Sequence, residues 1–426
     1  MKILHNANKM LRAIVVDDTE NVAKSTYLWN TTVGLTVACS SVIMMTAIIR
    51  YYPIEIAGYY ATAVAISNIA YIIATFNMLS FQATDVVCQY DFKDYISARV
   101  SLSVIMFIIL FFYIMIFDYT GIIVSVIVLQ CSYRGIDALC EVFQGNYQRA
   151  GRLDVGCKLG FVRQIIPDSV ILLLIMHSFS LTFAIGTAIL VKLAIVALFN
   201  ASIHPMFSQW GFNINKRTIA LAHDCLPLFF SAFLMTYIQS TPKLLIERIH
   251  GAPLQAYFTV IFMPAMVIHL LAGIIYRPML TSMANNWNTE RFSKVKRDAL
   301  KVLSATFIFT ILCSASVGIA IPVLEFIFGL DVTQYRLAFV CIMVAGGLNA
   351  MSLFMSFIIT IIRKQKLLIA VYAVTALYVT IAFPLLIVND GIWGAAKGFA
   401  VSMFIQFAIM FFLCVYTIRG KLNWRN

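Results

Sequence analysis

Residues 100–143 read VSLSVIMFIILFFYIMIFDYTGIIVSVIVLQCSYRGIDALCEVF. Residues 100–117 carry no charge, and after three intervening residues a second apolar run begins at 121. A hydrocarbon core about 30 Å thick needs around twenty residues of helix at ~1.5 Å each, so the stretch reads as a helical hairpin crossing a membrane. Working outward, further runs of this kind fall near 27–49, 58–80, 160–177, 181–200, 225–246, 254–280, 302–323, 336–362, 367–388 and 391–416. The chain is thus expected to be an all-α integral membrane protein with about 12 transmembrane helices. The expected division is an interfacial N-terminus at 1–26, a six-helix bundle at 27–215 and a second at 216–426.

Composition agrees. Hydrophobic residues make up 61% of the 426 residues and charged residues 12%, against roughly a quarter charged in soluble domains. The charges fall in short clusters between apolar runs, which leaves no room for a soluble domain. Cys39, Cys88, Cys131, Cys140, Cys157, Cys225, Cys313, Cys341 and Cys414 are scattered without a C-x-x-C pair and read as small core residues. Asp17, Asp18 and Glu20 argue against a cleavable signal, and Met10 to Val16 reads as a segment lying along the inner interface.

Lys and Arg set the orientation, because cytoplasmic loops retain positive charge. With these spans, 24 of the 31 basic residues fall on one side, including Arg99, Lys158, Arg163 and the clusters at 291–301 and 363–366. Arg50, Arg248 and Arg336 fall on the other, and Arg134, Lys192, Lys243 and Lys397 lie inside spans. Both termini are expected in the cytoplasm. The net charge of +12 is then explained by topology and an anionic lipid bilayer, without nucleic acid.

A duplication is also visible. Arg50 precedes Tyr59-Tyr60 as Arg248 precedes Tyr257-Phe258; Met78-Leu79-Ser80 matches Met279-Leu280-Thr281, and Phe92 matches Phe292. Two similar six-span halves related by an axis along the membrane normal are the expected result.

No phosphate loop, H-E-x-x-H or G-x-S-x-G motif occurs. No catalytic residue, metal site or cofactor is expected, and the short outer loops argue against a membrane enzyme. The informative residues are charges within spans, each costing ~2.5 to 3.5 kcal/mol at mid-bilayer on insertion scales. In the fourth run Gln130, Arg134, Asp137, Glu141, Gln144 and Gln148 recur every three or four residues, on one face that avoids lipid. This face is either an Arg134–Asp137 pair locking helices together or the polar wall of a water-filled cavity. At ~1.5 Å per residue from the outer boundary, Lys397 lies about 9 Å deep, Lys192 about 16 Å and Arg134 about 20 Å. Lys243 lies near the outer mouth beside Arg50. Such a series suits an anion pathway, led by Arg134 and Lys192; Lys243 and Lys397 also fit snorkelling to the surface. Asp137 and Glu141 are the candidate ion-coupling residues. His269 reads as a packed polar residue, and Pro167, Pro242, Pro264 and Pro384 mark sites where spans can bend.

Several loose patterns then converge. They are Arg50 with Gly58-Tyr59-Tyr60, Gln82-Ala83-Thr84-Asp85 with Tyr95 and Arg99, and Glu141, Gln144-Gly145, Gln148-Arg149 with Arg152-Leu153-Asp154. Met263-Pro264-Ala265 with Arg277-Pro278 completes them. In these the sequence resembles the Wzx-type polysaccharide flippases of the multidrug/oligosaccharidyl-lipid/polysaccharide exporter superfamily. The resemblance implies a V-shaped pair of six-helix bundles in the bacterial cytoplasmic (inner) membrane. It implies that a lipid-linked oligosaccharide diphosphate moves from inner to outer leaflet for O-antigen or capsule synthesis, with a polysaccharide polymerase or glycosyltransferases as possible partners. A cation-coupled multidrug antiporter of the same superfamily and a membrane enzyme of polysaccharide assembly are the alternatives. Drug antiporters commonly carry an acid in the first span, and residues 27–49 hold none.

Overall fold

The computed structural model describes residues 15–16, 21–85, 89–207, 211–364 and 366–423. Its order is α1 (Val22–Tyr51), α2 (Ile54–Thr75), α3 (Met78–Thr84), α4 (Phe92–Ile116), α5 (Ile122–Arg149), α6 (Leu153–Met176) and α7 (Leu181–Ser202). There follow α8 (Lys216–His250), α9 (Ala252–Asn288), α10 (Phe292–Ala315), α11 (Val317–Phe328), α12 (Arg336–Ile361) and α13 (Lys366–Asn423). Among the described residues 11 helical stretches are long and apolar enough to span a bilayer. The last of these is two helices joined at Gly391, so the described residues hold twelve helices long and apolar enough to cross. Gly391 sits at φ 55°, ψ −127°, a region that a residue with a Cβ does not enter without strain.

Two compact units divide the chain, Met1–Phe233 and Leu234–Asn426. The boundary falls inside α8, and the contacts of its first half explain why. Phe76 stacks on Phe229 with ring centroids 4.2 Å apart. The Tyr90 hydroxyl donates to Asp224 at 2.7 Å, and Arg217 donates to the Gln89 carbonyl at 2.7 Å.

In each unit the fourth span is the centre of packing. In the first unit α5 packs against α2, α3, α4, α6 and α7, and α1 lies along α6. In the second, α12 packs against α9, α10 and α13. The two cores differ chemically. That of α12 is built on close approach, since a Cβ on Gly346 would lie 2.8 Å from the Cβ of Ala265. That of α5 buries Gln130, Asp137 and Asn146. Outward positions such as Phe107, Phe111, Phe112, Ile319, Phe326 and Phe412 are exposed, the surface that spans present to lipid.

The matched landmarks hold comparable places in the two series. Arg50 and Arg248 lie in the last turns of α1 and α8, and Phe92 and Phe292 open α4 and α10. Met78-Leu79-Ser80 belongs to the separate helix α3, whereas Met279-Leu280-Thr281 continues α9.

Several expectations are corrected. The ninth span runs from Phe292 to Ala315 and breaks at Ser316, where 302–323 was expected. Lys294, Lys296, Arg297 and Lys301 are exposed on the helix face opposite buried Phe292, Val295, Ala299 and Val302, so the charges continue the helix as an amphipathic turn. Arg99, Lys158 and Arg163 lie in helices instead of loops, Arg99 and Lys158 being buried. Their charges end an apolar run in sequence; in space Arg99 meets Glu141 and Arg163 meets Asp137, both on α5. At the N-terminus Val15 and Val16 are buried in the hydrophobic cluster of the first unit instead of lying along an interface. Their carbonyls accept from Lys158 Nζ (3.4 Å) and Arg152 Nη2 (2.8 Å). Met10 to Ile14 and Cys88 lie outside the described residues. The eight described cysteines are free, and Cys39 is exposed on α1 instead of in a core.

Candidate functional site

The polar stripe of α5 is the organising feature. Its residues recur at helical spacing; α4, α6 and α7 bring cations to its carboxylates, and α2 adds the neutral Asn68 and Tyr71. Asp137 is the hub. Its Oδ2 accepts from Lys192 Nζ of α7 at 2.8 Å and its Oδ1 accepts from Arg163 Nε of α6 at 3.0 Å. Arg134 Nη1, one turn earlier on α5, stands 3.8 Å from Oδ2. Three cations thus converge on one carboxylate.

Their exposures rank them. The Lys192 side chain is fully buried, lies 3.5 Å from the centroid of the Tyr133 ring and also donates to the Tyr133 carbonyl at 3.3 Å. The Arg163 side chain is 16% exposed and that of Arg134 30%. Arg134 rests over the Tyr71 ring at 4.6 Å and its Nη2 donates to the Asn68 side-chain Oδ1 at 3.4 Å. Lys192 and Arg163 therefore satisfy Asp137, and Arg134 is the loosely held charge.

One turn along α5, Glu141 pairs with Arg99 Nη1 at 3.1 Å and accepts from the Tyr71 hydroxyl at 3.1 Å. The Arg99 side chain is fully buried. On the other flank Asp168 of α6 accepts from Tyr133 (2.6 Å), Gln164 (2.6 Å) and Ser40 of α1. Four cations, Arg99, Arg134, Arg163 and Lys192, thus face three carboxylates, Asp137, Glu141 and Asp168. The excess is positive.

The structure brings Arg134, Lys192 and Asp137 together and links Glu141 to them through Tyr71. Arg50 stands in the last turn of α1, apart from this cluster. In the second unit Lys243 lies over the Phe262 ring at 4.5 Å and makes no ion pair among the described residues. Lys397 pairs with Asp390 at 2.8 Å beside the Gly391 break, 39% exposed. Asp137 and Glu141 each hold a buried cation in an ion pair that protonation would break.

Sequence reasoning left out Arg99, Arg163, Asp168, Tyr71 and Tyr133. A depth comparison contains the signal. Arg99 opens the third apolar run as Glu141 closes the fourth, and Asp137 and Arg163 stand at similar intervals either side of the 150–152 turn. In antiparallel neighbours such residues share a depth.

On the Lys/Arg-rich side, Asp85 follows α3 and gathers the residues around it. It accepts from the backbone amides of Gln89 (2.8 Å) and Tyr90 (3.1 Å) and from the Tyr95 hydroxyl (3.1 Å), with Arg149 at 3.7 Å. Burial alone would raise its pKa, but these amides, the hydroxyl and the guanidinium hold the carboxyl below its ordinary value. Gln82 Nε2 donates to the Val142 carbonyl at 3.0 Å and its side chain lies against Gly145, tying α3 to α5. Between α5, α6 and α7 a small cavity of about 20 Å³ is lined by Gln144, Tyr147, Arg163 and Asn200, among others. Among the described residues no group of three or more His, Cys, Asp or Glu is placed to hold a metal ion.

No protein-family model matches the chain. No curated protein matches it in sequence. Solved structures do match in fold. An inward-facing multidrug resistance MATE family transporter of the MOP superfamily aligns over 93% of this chain and 96% of its own, with TM-score 0.62 and 13% identity. The MATE transporter VcmN of Vibrio cholerae aligns over 94% and 98%, with TM-score 0.61 and 13% identity. A MOP superfamily transporter of Pyrococcus furiosus, whose binding pocket is described as reversed in polarity and suggestive of a different function, aligns over 94% of this chain and 93% of its own, with TM-score 0.51 and 12% identity. At these identities the likeness is one of fold: the chain is a multi-pass membrane protein with the two-bundle helical fold of MOP superfamily transporters.

Proposed function

We propose that this transporter moves an undecaprenyl-diphosphate-linked oligosaccharide repeat unit from the inner to the outer leaflet of the bacterial cytoplasmic membrane, supplying O-antigen or capsule synthesis. The observation that carries the reading is the convergence of Lys192, Arg163 and Arg134 on Asp137, which leaves a positive excess within the spanning helices of the first unit. A positive charge at that depth is costly unless something anionic meets it. Arg134 is the residue in contact with cargo, because it alone of the three keeps substantial exposure. Lys192 and Arg163 position Asp137 and keep it from capturing Arg134. Lys243, over an aromatic ring and without an ion pair among the described residues, and Arg50 and Lys397 are the further basic residues that attract anions. Moving about two negative charges outward down an inside-negative potential of 100 mV releases ~4 to 5 kcal/mol, so the potential supplies a direction without ATP.

A second reading, drug efflux coupled to a cation, is favoured by the MATE transporters among the fold neighbours. Against it, α1 contains no acidic residue. A strain lacking this gene separates the two. The flippase reading expects loss of surface polysaccharide, restored by the wild-type gene and not by Arg134→Gln, with unchanged sensitivity to cationic dyes. Dye hypersensitivity with normal surface polysaccharide would refute it.

A further inference from the structure

Within α9, α12 and α13 there is one imidazole, His269, and one carboxylate, Asp390 beside the Gly391 break. His269 of α9 is partly buried, and its Nδ1 is enclosed and makes no hydrogen bond among the described residues. Asn349 of α12 and Gln406 of α13 are 2% and 1% exposed. Asn349 Oδ1, Gln406 Oε1 and Gln406 Nε2 are likewise enclosed and make no hydrogen bond among the described residues. Buried polar side chains normally find partners, above all within a span, so three such residues in one unit ask for a common explanation.

Packing contacts place the three together. α9, α12 and the second half of α13 run parallel, because their contacts advance in step. Phe262 meets Phe399 with ring centroids 4.9 Å apart, Ala265 lies against Gly346, and Tyr276 meets Phe354 at 5.1 Å. The Cys341 thiol donates to the Ala396 carbonyl at 3.5 Å and the Cys414 thiol to the Met355 carbonyl at 3.9 Å. His269 stands seven residues past Phe262, and Gln406 seven past Phe399, so both lie two turns further along the same faces at the same level. Asn349 stands three residues past Gly346, which faces α9, and eight past Cys341, which faces α13. It therefore occupies the wedge where the three helices meet. Each residue lies about 20 to 26 Å from the start of its helix, well inside a hydrocarbon core.

We infer that this junction binds a proton: His269 takes it up from water, and the oxygens of Asn349 and Gln406 accept the two N–H groups of the resulting imidazolium. The count of donors favours the charged form. A neutral imidazole brings one N–H and an imidazolium two, and two unpartnered amide oxygens stand at its level. One N–H bond forms, at the ring nitrogen that lacked a hydrogen; the proton comes from hydronium, and the unit gains one positive charge. No neighbouring helix supplies a competing acid. From α8, Lys243 sits over Phe262, about 10 Å along the axis from His269. α10 brings Cys313, and Thr306 bonded to Tyr276 of α9. α12 brings Cys341; α13 brings Tyr372, Cys414 and Lys397, the last paired with Asp390. The second unit thus carries in its core a charge set by pH, whereas Asp137 and Glu141 of the first are fixed in ion pairs.

NMR of the full-length protein in nanodiscs, with ¹⁵N-labelled histidine and the pH varied from about 4 to 9, tests the site. The His269 signal is the one lost in His269→Gln. It is expected to titrate as a single group and to show both ring nitrogens protonated at the acid end. The double variant N349L/Q406L should bind the proton about tenfold more weakly, having lost both acceptors. Gln406→Glu, which places a carboxylate at the same level, should bind it about tenfold more tightly. The remaining histidine signals should stay in place in each variant, which reports that the fold is kept. A His269 signal that does not titrate, or unchanged proton affinity in both variants, would overturn the site. Lipid flipping plays no part in this readout, so its outcome stands apart from the cargo reading.

Discussion

Replacing Asp137 by asparagine removes the counter-charge from three cations while keeping shape and some hydrogen bonding. Lys192, fully buried and 2.8 Å from Oδ2, and Arg163, 3.0 Å from Oδ1, both lose their partner. Removing one member of a buried pair costs about 3–5 kcal/mol, because the remaining charge stays desolvated. For a unit of this length each kcal/mol shifts the melting temperature by about 2–4 °C, so the Asp137→Asn protein is expected to melt roughly 6–20 °C lower. Adding Lys192→Gln should recover much of this, since the most buried cation is then gone as well. Arg134→Gln is the contrasting case. Its contact is 3.8 Å long and partly exposed, a class worth about 1 kcal/mol or less, so it should melt within a few degrees of wild type. The assay is the thermal midpoint in detergent, read by retention of the monodisperse protein. If Asp137→Asn melts like wild type, or Arg134→Gln falls as far as Asp137→Asn, the division into positioning and cargo-facing cations is wrong.

Other consequences follow from other parts of the molecule. On a cysteine-free background, Lys294→Cys in intact cells should resist a membrane-impermeant thiol reagent and Gln334→Cys should react; the opposite pattern would invert the topology. Glu141→Gln should lower the yield of folded protein, because it leaves the fully buried Arg99 side chain without its carboxylate, and Arg99→Met in the same chain should restore it. The Asp85 carboxyl is held below its unfolded value near 4, so its contribution is complete above that pH and disappears as the pH falls through the lower folded value. Acid melting curves should therefore show Asp85→Asn less stable than wild type at pH 6 and the gap closing below about pH 4; a constant gap would contradict this. Gly391→Ala should cost about 1–3 kcal/mol from the forced φ of 55°, visible as a lower thermal midpoint.

How much of this was legible in the sequence depends on the range of the interaction. Twelve crossings were legible because each apolar run is a local property, and so was the polar face of α5, whose members lie one turn apart. Arg134, Lys192 and Asp137 stood out as charges inside spans. Arg99 and Arg163 did not, because a hydropathy window stops at a charge and cannot see a carboxylate on another helix that allows the charge to be buried. For the same reason the Arg134–Asp137 pair expected from i,i+3 spacing is the weakest of the three contacts to Asp137, and the strongest, to Lys192, spans 55 residues. The start of α10 was hidden because its first turns are amphipathic, charged outside and apolar inside. The packing of the first half of α8 against the first unit was illegible, since Phe76–Phe229 and Tyr90–Asp224 are tertiary contacts that leave no local mark.

The central claim is that the positive excess around Arg134 conducts an anionic lipid. The most direct measurement is the rate at which reconstituted protein flips a fluorescent undecaprenyl-diphosphate oligosaccharide, followed as probe reaching the outer leaflet of liposomes with an imposed inside-negative potential. Protein should be inserted with its Lys/Arg-rich side facing the vesicle interior. Wild type and Arg134→Lys should flip it, faster as the potential rises; Arg134→Gln, at equal incorporation, should be near the protein-free rate. Flipping by Arg134→Gln at the wild-type rate, or potential-independent flipping by the wild type, would contradict the account.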